Sequence, residues 1–176
     1  ETKDNDFTWR DFQARNNSEL VAILGNFVNR AVVLTHKYFN GEVLAAGEYQ
    51  PIDNDAFAEL KSIKSSLSDN LDNFHFREAL KDAMNIARLG NKYLQETEPW
   101  KVAKSDMART ATILNVAAQM CANIAVAFEP FMPFMSKKLR GMLGMNEINW
   151  DELGRNDLIP AGRHLSLIHI SEPTRR

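Results

Sequence analysis

The stretch TATILNVAAQMCANIAVAF, residues 110–128, contains no charged side chain. A segment of this kind has two physical readings. It crosses a bilayer, which takes about 20 apolar residues, or it runs through the middle of a helix bundle and is covered on most sides. Its composition favours the second. Asn115, Gln119 and Asn123 recur every four residues, so they share one helical face. Alanine dominates the remainder, and polar amides at membrane depth need partners. No other segment resembles a span, so the expectation is a soluble bundle built around this helix.

Working outward, Ser105 or Asp106 is the expected start of this central helix, and Pro99 breaks the one before it. That preceding helix begins near His75. Phe76, Leu80, Ala83, Ala87, Gly90 and Leu94 alternate steps of four and three, a narrow packing seam whose small residues let a neighbour approach closely. Further upstream, Pro51 precedes an expected cap at Asp53, and Phe57, Leu60, Ile63, Ser66, Leu67 and Leu71 form another stripe. The first segment runs from about Thr8 to Phe39. Leu20, Leu24, Phe27, Val28, Ala31, Leu34 and Tyr38 line one face, and Asn40-Gly41 reads as a left-handed stop. Downstream, Pro130 and Pro133 lead into a short amphipathic helix through Phe134, Leu139 and Leu143, expected to end at Gly141 and Gly144. A short element near Trp150–Leu153 and an extended tail follow. No convincing period-two run occurs, so the fold class is all-α, a helical bundle of about five helices.

Composition narrows the functional classes. The 176 residues are 44% hydrophobic and 25% charged with net charge −2. That is ordinary globular composition, and it excludes a disordered chain and a highly basic nucleic-acid wrapper while leaving room for a small local reading patch. The polar start ETKDND lacks the basic and apolar regions of a signal peptide, and the chain reads as a piece of something longer. Cys121 is the lone cysteine and lies among apolar residues, where a small buried hydrophobe is expected rather than a nucleophile. His36, His75, His164 and His169 lack metal-ligand spacing. No dinucleotide loop, Walker lysine, Glu-x-x-His pair, serine elbow or zincin motif is present. No catalytic residue and no metal ligand is therefore assigned.

Two constellations carry information. Asn26 and Arg30, four apart on the first helix, flank its apolar stripe. The run NKYLQETEPWKVAK, residues 91–104, presents Trp100 on a corner fixed by Pro99, with Lys101 and Lys104 just beyond. An aromatic platform with basic neighbours is one way to stack an unpaired RNA base. A tryptophan that simply plugs the bundle corner fits the same residues, and Asn26 with Arg30 also reads as a solvated flank.

NKYLQETEPWKVAK, LGNFVNRAVVLTHKYFNG and FEPFMPFMSKKL, taken in order, resemble the C-terminal anticodon-binding domain of bacterial-type methionyl-tRNA synthetases. The opening FTWRDFQARNNSELVAILGN and the later WDEL and LIPAG fit the same family, over about Glu1 to Leu165. The resemblance implies the helical bundle of class I synthetase anticodon-binding domains and recognition of the CAU anticodon of methionine tRNA. The matching positions are Asn26, Arg30 and Trp100 for the first anticodon base, with Asn91 and Pro99 supporting the site. Lys92, Lys101 and Lys104 are candidate phosphate contacts, although each also reads as a solvated face. The family often carries an acid five residues before the tryptophan, where this chain has Gln95.

The resemblance further implies a parent methionine–tRNA ligase of the cytoplasm. Its catalytic domain would use ATP and methionine, with zinc as a further candidate there. This chain would hold no cofactor and no ligase activity alone, and its expected partners are the tRNA anticodon loop and that catalytic domain, not DNA or a membrane. Met135–Lys138 and Leu167–Ile170 imitate synthetase signature motifs without their setting. Residues 1–165 are assigned to the bundle, and 166–176, SLIHISEPTRR, are expected to be a non-native, vector-derived tail. Two other readings remain open at this point: the helical anticodon domain of another class I synthetase, such as the cysteinyl or valyl type, and a helical protein-interaction module.

Overall fold

A computed structural model describes residues 22–146 and 149–167. Helix α1 (Asn26–Phe39) is followed by β1 (Glu42–Val43), α2 (Pro51–Asp72), α3 (Phe76–Thr97), the single turn α4 (Pro99–Val102), α5 (Met107–Phe128) and α6 (Pro133–Leu143). A 3-10 turn at Trp150–Glu152 and β2 (Arg163–His164) complete the described chain. The two short strands pair antiparallel, Glu42 opposite His164 and Val43 opposite Arg163. The all-α bundle expected from the sequence is therefore observed, with this small clasp added. The expected helical positions from Thr8 to Val21 lie outside the described residues.

Helix α5 is the axis. Every residue from Thr110 to Phe128 is buried, and so is the whole of its most apolar window. Asp106 caps it, accepting from the Arg109 backbone N–H at 2.8 Å. The amide stripe explains how polar groups sit in the core. Asn115 Nδ2 donates to Leu44 O at 2.8 Å. Gln119 exchanges two hydrogen bonds with the Ile159 backbone, at 2.8 and 2.9 Å. Asn123 donates to Arg155 O at 2.9 Å and accepts from Gly154 N–H at 2.6 Å. Loop backbone buried beside α5 thus finds the partners that buried amide groups require.

Helices α2 and α3 form an antiparallel hairpin, and α1 packs into the α3 seam. Gly90 is a point of close approach: a Cβ placed there would stand 2.3 Å from Phe27 Cζ. The seam's small residue is therefore used as its spacing suggests.

Several local expectations are corrected. Gln50, not Asp53, caps α2; Asp53 sits at the third helical position of a reciprocal capping box. Gly141 lies inside α6, and only Gly144, in the left-handed region at φ 62°, ends it. Ser66 is exposed and donates to Asp82 at 2.7 Å instead of joining the α2 stripe. Phe76 and Leu80 belong to the α3 spacing but stand exposed, in the first turns after the α2–α3 connection. Phe134 is 90% exposed. It is five residues from Leu139, about 140° around the helix, and α6 turns Ser136, Leu139, Met142 and Leu143 inward instead.

Candidate nucleic-acid interface

Three pieces of chain meet at one end of the bundle: the start of α1, the last turns of α3 and the corner between α3 and α5. Helix propensity and the apolar stripe turn Phe27, Val28 and Ala31 of α1 inward. Asn26 is thereby left exposed, with Arg30 half-buried one turn later on the same side. On α3, burial of Tyr93 and Leu94 sets the phase that brings Asn91 to the α1 side. Asn91 Nδ2 donates to Ile23 O at 2.9 Å and Ala87 O at 3.2 Å, while its Oδ1 accepts from Asn26 Nδ2 at 3.5 Å.

The corner is made by backbone geometry. Glu98 ends α3 in the left-handed region, at φ 43°, a conformation that costs a residue with a side chain about 1 kcal/mol or more. Pro99 then starts α4, where its missing N–H is no loss. Pro99 is buried and anchors the corner, whereas Trp100 is half-buried. The Arg30 guanidinium carbon lies 5.3 Å from the Trp100 ring centroid, a cation–π contact. Asn26, Arg30, Asn91, Pro99 and Trp100 are therefore brought to one neighbourhood by three separate elements.

The three lysines differ. Lys101 pairs with Glu98 at 2.8 Å, and Lys92 stands 4.0 Å from Glu59. Among the described residues Lys104 makes no ion pair. All three are exposed.

Behind the corner lies a buried cluster that the sequence reading missed. Asp53 on α2 is fully buried. It accepts two bonds from the Arg109 guanidinium, at 2.5 and 2.9 Å, one from Tyr93 Oη at 2.6 Å and one from Gln50 N–H at 2.9 Å. Burial pushes the Asp53 carboxyl up, but the bonds from Arg109, Tyr93 and Gln50 outweigh it and hold the group below the usual carboxylate range. Burial and the neighbouring carboxylate push the Tyr93 phenol up. Asp53 and Arg109 are 56 residues apart, so no spacing pattern pairs them.

Elsewhere, burial pushes the Cys121 thiol up, which leaves it protonated and unreactive. No group of three or more His, Cys, Asp or Glu side chains comes together among the described residues. A cavity of about 210 Å³ beside the end of α6 is lined by Gly144, Arg155, Asp157 and Arg163 and shares no residue with the corner.

Comparison with known proteins bears on this face. A family described as the anticodon binding domain of methionyl tRNA ligase matches residues 43–169, and one described as class I tRNA synthetases (M) matches residues 1–32. The chain is 61% identical to a methionine–tRNA ligase of Bacteroides fragilis over 166 residues, covering 94% of this chain and 24% of that protein. It is 63% identical, with the same coverage, to a methionine–tRNA ligase of Porphyromonas gingivalis. The chain thus spans about a quarter of the length of these relatives. Mycobacterium tuberculosis methionyl-tRNA synthetase bound by methionyl-adenylate shares the fold, with a TM-score of 0.82 at 22% identity over 93% of this chain and 34% of that one. Its free form gives 0.79 at 23% identity, over 91% and 33%.

Proposed function

Because this chain belongs to the family of methionyl-tRNA ligase anticodon-binding domains, we propose that the Arg30–Trp100 face reads the first base of the CAU anticodon of methionine tRNA. Family membership sets aside the cysteinyl and valyl types and the generic interaction module. The observation that carries the base-reading proposal is the planar Arg30 guanidinium over the Trp100 ring, beside the Asn26–Asn91 amide pair. Cytosine offers O2 and N3 as acceptors and its N4 amino group as donor on the Watson–Crick edge. Arginine has only donors, and an asparagine carbonyl accepts. Arg30 would donate to the cytosine acceptors and Asn26 would accept from N4. Uracil, with a donor at N3 and an acceptor at O4, mismatches the same pair. Trp100 supplies stacking of about 1–3 kcal/mol, with little preference among bases.

Pro99 sets the height of the platform, and Asn91 orients Asn26. Lys104 would meet backbone phosphate. Lys92 and Lys101 would do so after exchanging Glu59 and Glu98 for phosphate. Methionine ligation with ATP is proposed for a full-length protein like the relatives, outside the segment described here.

Titration of the chain with a methionine tRNA anticodon stem-loop, at one stated salt concentration, tests the reading. Wild type is expected to prefer a stem-loop with cytosine at the first anticodon position (C34) over one with uracil there (U34), and Arg30→Ala is expected to lose most of that preference. Equal affinity of wild type for the two stem-loops would refute it.

A further inference from the structure

We propose that Asp53 is a positioning residue for base discrimination: it holds the two ends of the Trp100 corner at a fixed separation, and the register of Trp100 against Arg30 depends on it. This rests on the base-reading proposal for the same corner.

The argument begins with connectivity. Tyr93 lies seven residues before Trp100, and Arg109 nine residues after it. Between them the chain leaves α3 through Glu98, makes the single turn α4 and enters α5 at its Asp106 cap. The Asp53 side chain hydrogen-bonds to both flanks. Asp53 Oδ1 accepts from Tyr93 Oη and from Arg109 Nη2, and its Oδ2 accepts from Arg109 Nη1.

The clamp is anchored at its own end as well. Asp53 Oδ2 accepts from Gln50 N–H, closing the capping box of α2. A two-point guanidinium–carboxylate fork fixes orientation as well as distance. Removing a buried ionised partner leaves the other charge uncompensated, so the site resists compromise geometries.

What the clamp holds is a single helical turn whose ring stands partly open. Trp100 is half-buried, and its contact with Arg30 comes from the ring face. The short α4 is anchored by buried Pro99 and by Val102 packed against the core. A shift of the α3 end relative to α5 carries Trp100 across Arg30, and discrimination between C34 and U34 depends on where the base edge then falls.

A purely structural role and a positioning role differ in what they change. Loss of stability lowers the folded fraction and weakens both RNAs by the same factor. Loss of register changes the ratio of the two affinities. The experiment measures Kd for C34 and U34 stem-loops with the chain carrying Asp53→Asn, Arg109→Lys or Tyr93→Phe, at a temperature where circular dichroism shows wild-type helicity. Leu67→Ala, in the core of α2, is the control that costs stability only.

Asp53→Asn is expected to lower the C34 over U34 ratio at least tenfold. Tyr93→Phe, which keeps the ring and removes one donor, is expected to lower it two- to fourfold. Leu67→Ala leaves it unchanged. Should Asp53→Asn fail to fold, Tyr93→Phe and Arg109→Lys decide the matter. An unchanged ratio in the folded variants overturns the positioning role and leaves the base-reading proposal standing. A wild type without C34 preference overturns both.

Discussion

Gly90→Ala is the substitution whose cost is set most directly by the geometry. A Cβ at position 90 would lie 2.3, 2.5 and 2.6 Å from Cζ, Cε2 and Cε1 of Phe27. Carbon atoms in contact ordinarily sit about 3.5–4.0 Å apart, so the ring must retreat by about 1 Å or more. Phe27 is fully buried, so its ring can retreat only by displacing core neighbours. Overpacking costs about 1–3 kcal/mol, and contacts this short place it in the upper part of that range, about 2–3 kcal/mol. Against it, alanine is favoured over glycine in a helix interior by about 1 kcal/mol. The expected net loss is about 1–2 kcal/mol, or a fall in Tm of about 2–8 °C for a chain of this size. Urea unfolding followed by circular dichroism reads it directly.

A double-mutant cycle isolates the cause. Phe27→Leu removes the three clashing ring atoms, so Gly90→Ala in that background is expected to be neutral or stabilising. The reasoning is refuted if Gly90→Ala is as stable as wild type, or if it costs the same with leucine at 27. The functional consequence follows from adjacency. Asn26 precedes Phe27 and Asn91 follows Gly90, so forcing the helices apart also strains the 3.5 Å contact between them. Weaker stem-loop binding at full helicity is the expected companion result.

Other outcomes follow from the same contacts. Asp53 has a folded pKa below its unfolded value of about 3.9, so its contribution to stability is complete above about pH 4 and is lost as pH falls through the lower folded value. Urea midpoints should therefore drop in acid for wild type and drop less steeply for Asp53→Asn; parallel slopes would contradict this. Gln119→Leu strands the Ile159 N–H and C=O and should cost about 2–4 kcal/mol in urea unfolding, whereas a gain in stability would show the amide to be unneeded. Arg30→Lys keeps the charge but loses the planar fork, so it should bind both stem-loops while losing most of the C34 preference. Trp100→Phe should retain measurable binding and Trp100→Ala lose most of it, both with little loss of helicity, since the ring is only half-buried; unfolding of Trp100→Ala would mark the ring as a core plug.

Much of the fold is legible in local pattern. The uncharged 110–128 stretch, the α3 spacing ending in Gly90, and the Pro99 break each follow from periodicity or from the geometry of one residue type. Errors fall where spacing alone cannot supply phase. Phe76, Leu80 and Phe134 satisfy helical intervals, yet they stand where no described element covers them. The amide stripe was visible as a stripe, but its partners were not, because Leu44, Arg155, Gly154 and Ile159 reach it from distant loops.

The site divides along the same line. Asn26 with Arg30, and Pro99 with Trp100, are local motifs, and their residue types already suggest a base-reading surface. The residue order by itself determined where the described helices form and where the corner falls, because helix periodicity and proline act over a few positions. Only the tertiary structure decided that Arg30 lies over Trp100, that Asn91 meets Asn26 across 65 positions, and that Asp53 joins Tyr93 to Arg109. Those contacts depend on how the helices rotate and approach one another, and that is settled by close packing, such as Phe27 filling the space that Gly90 leaves open.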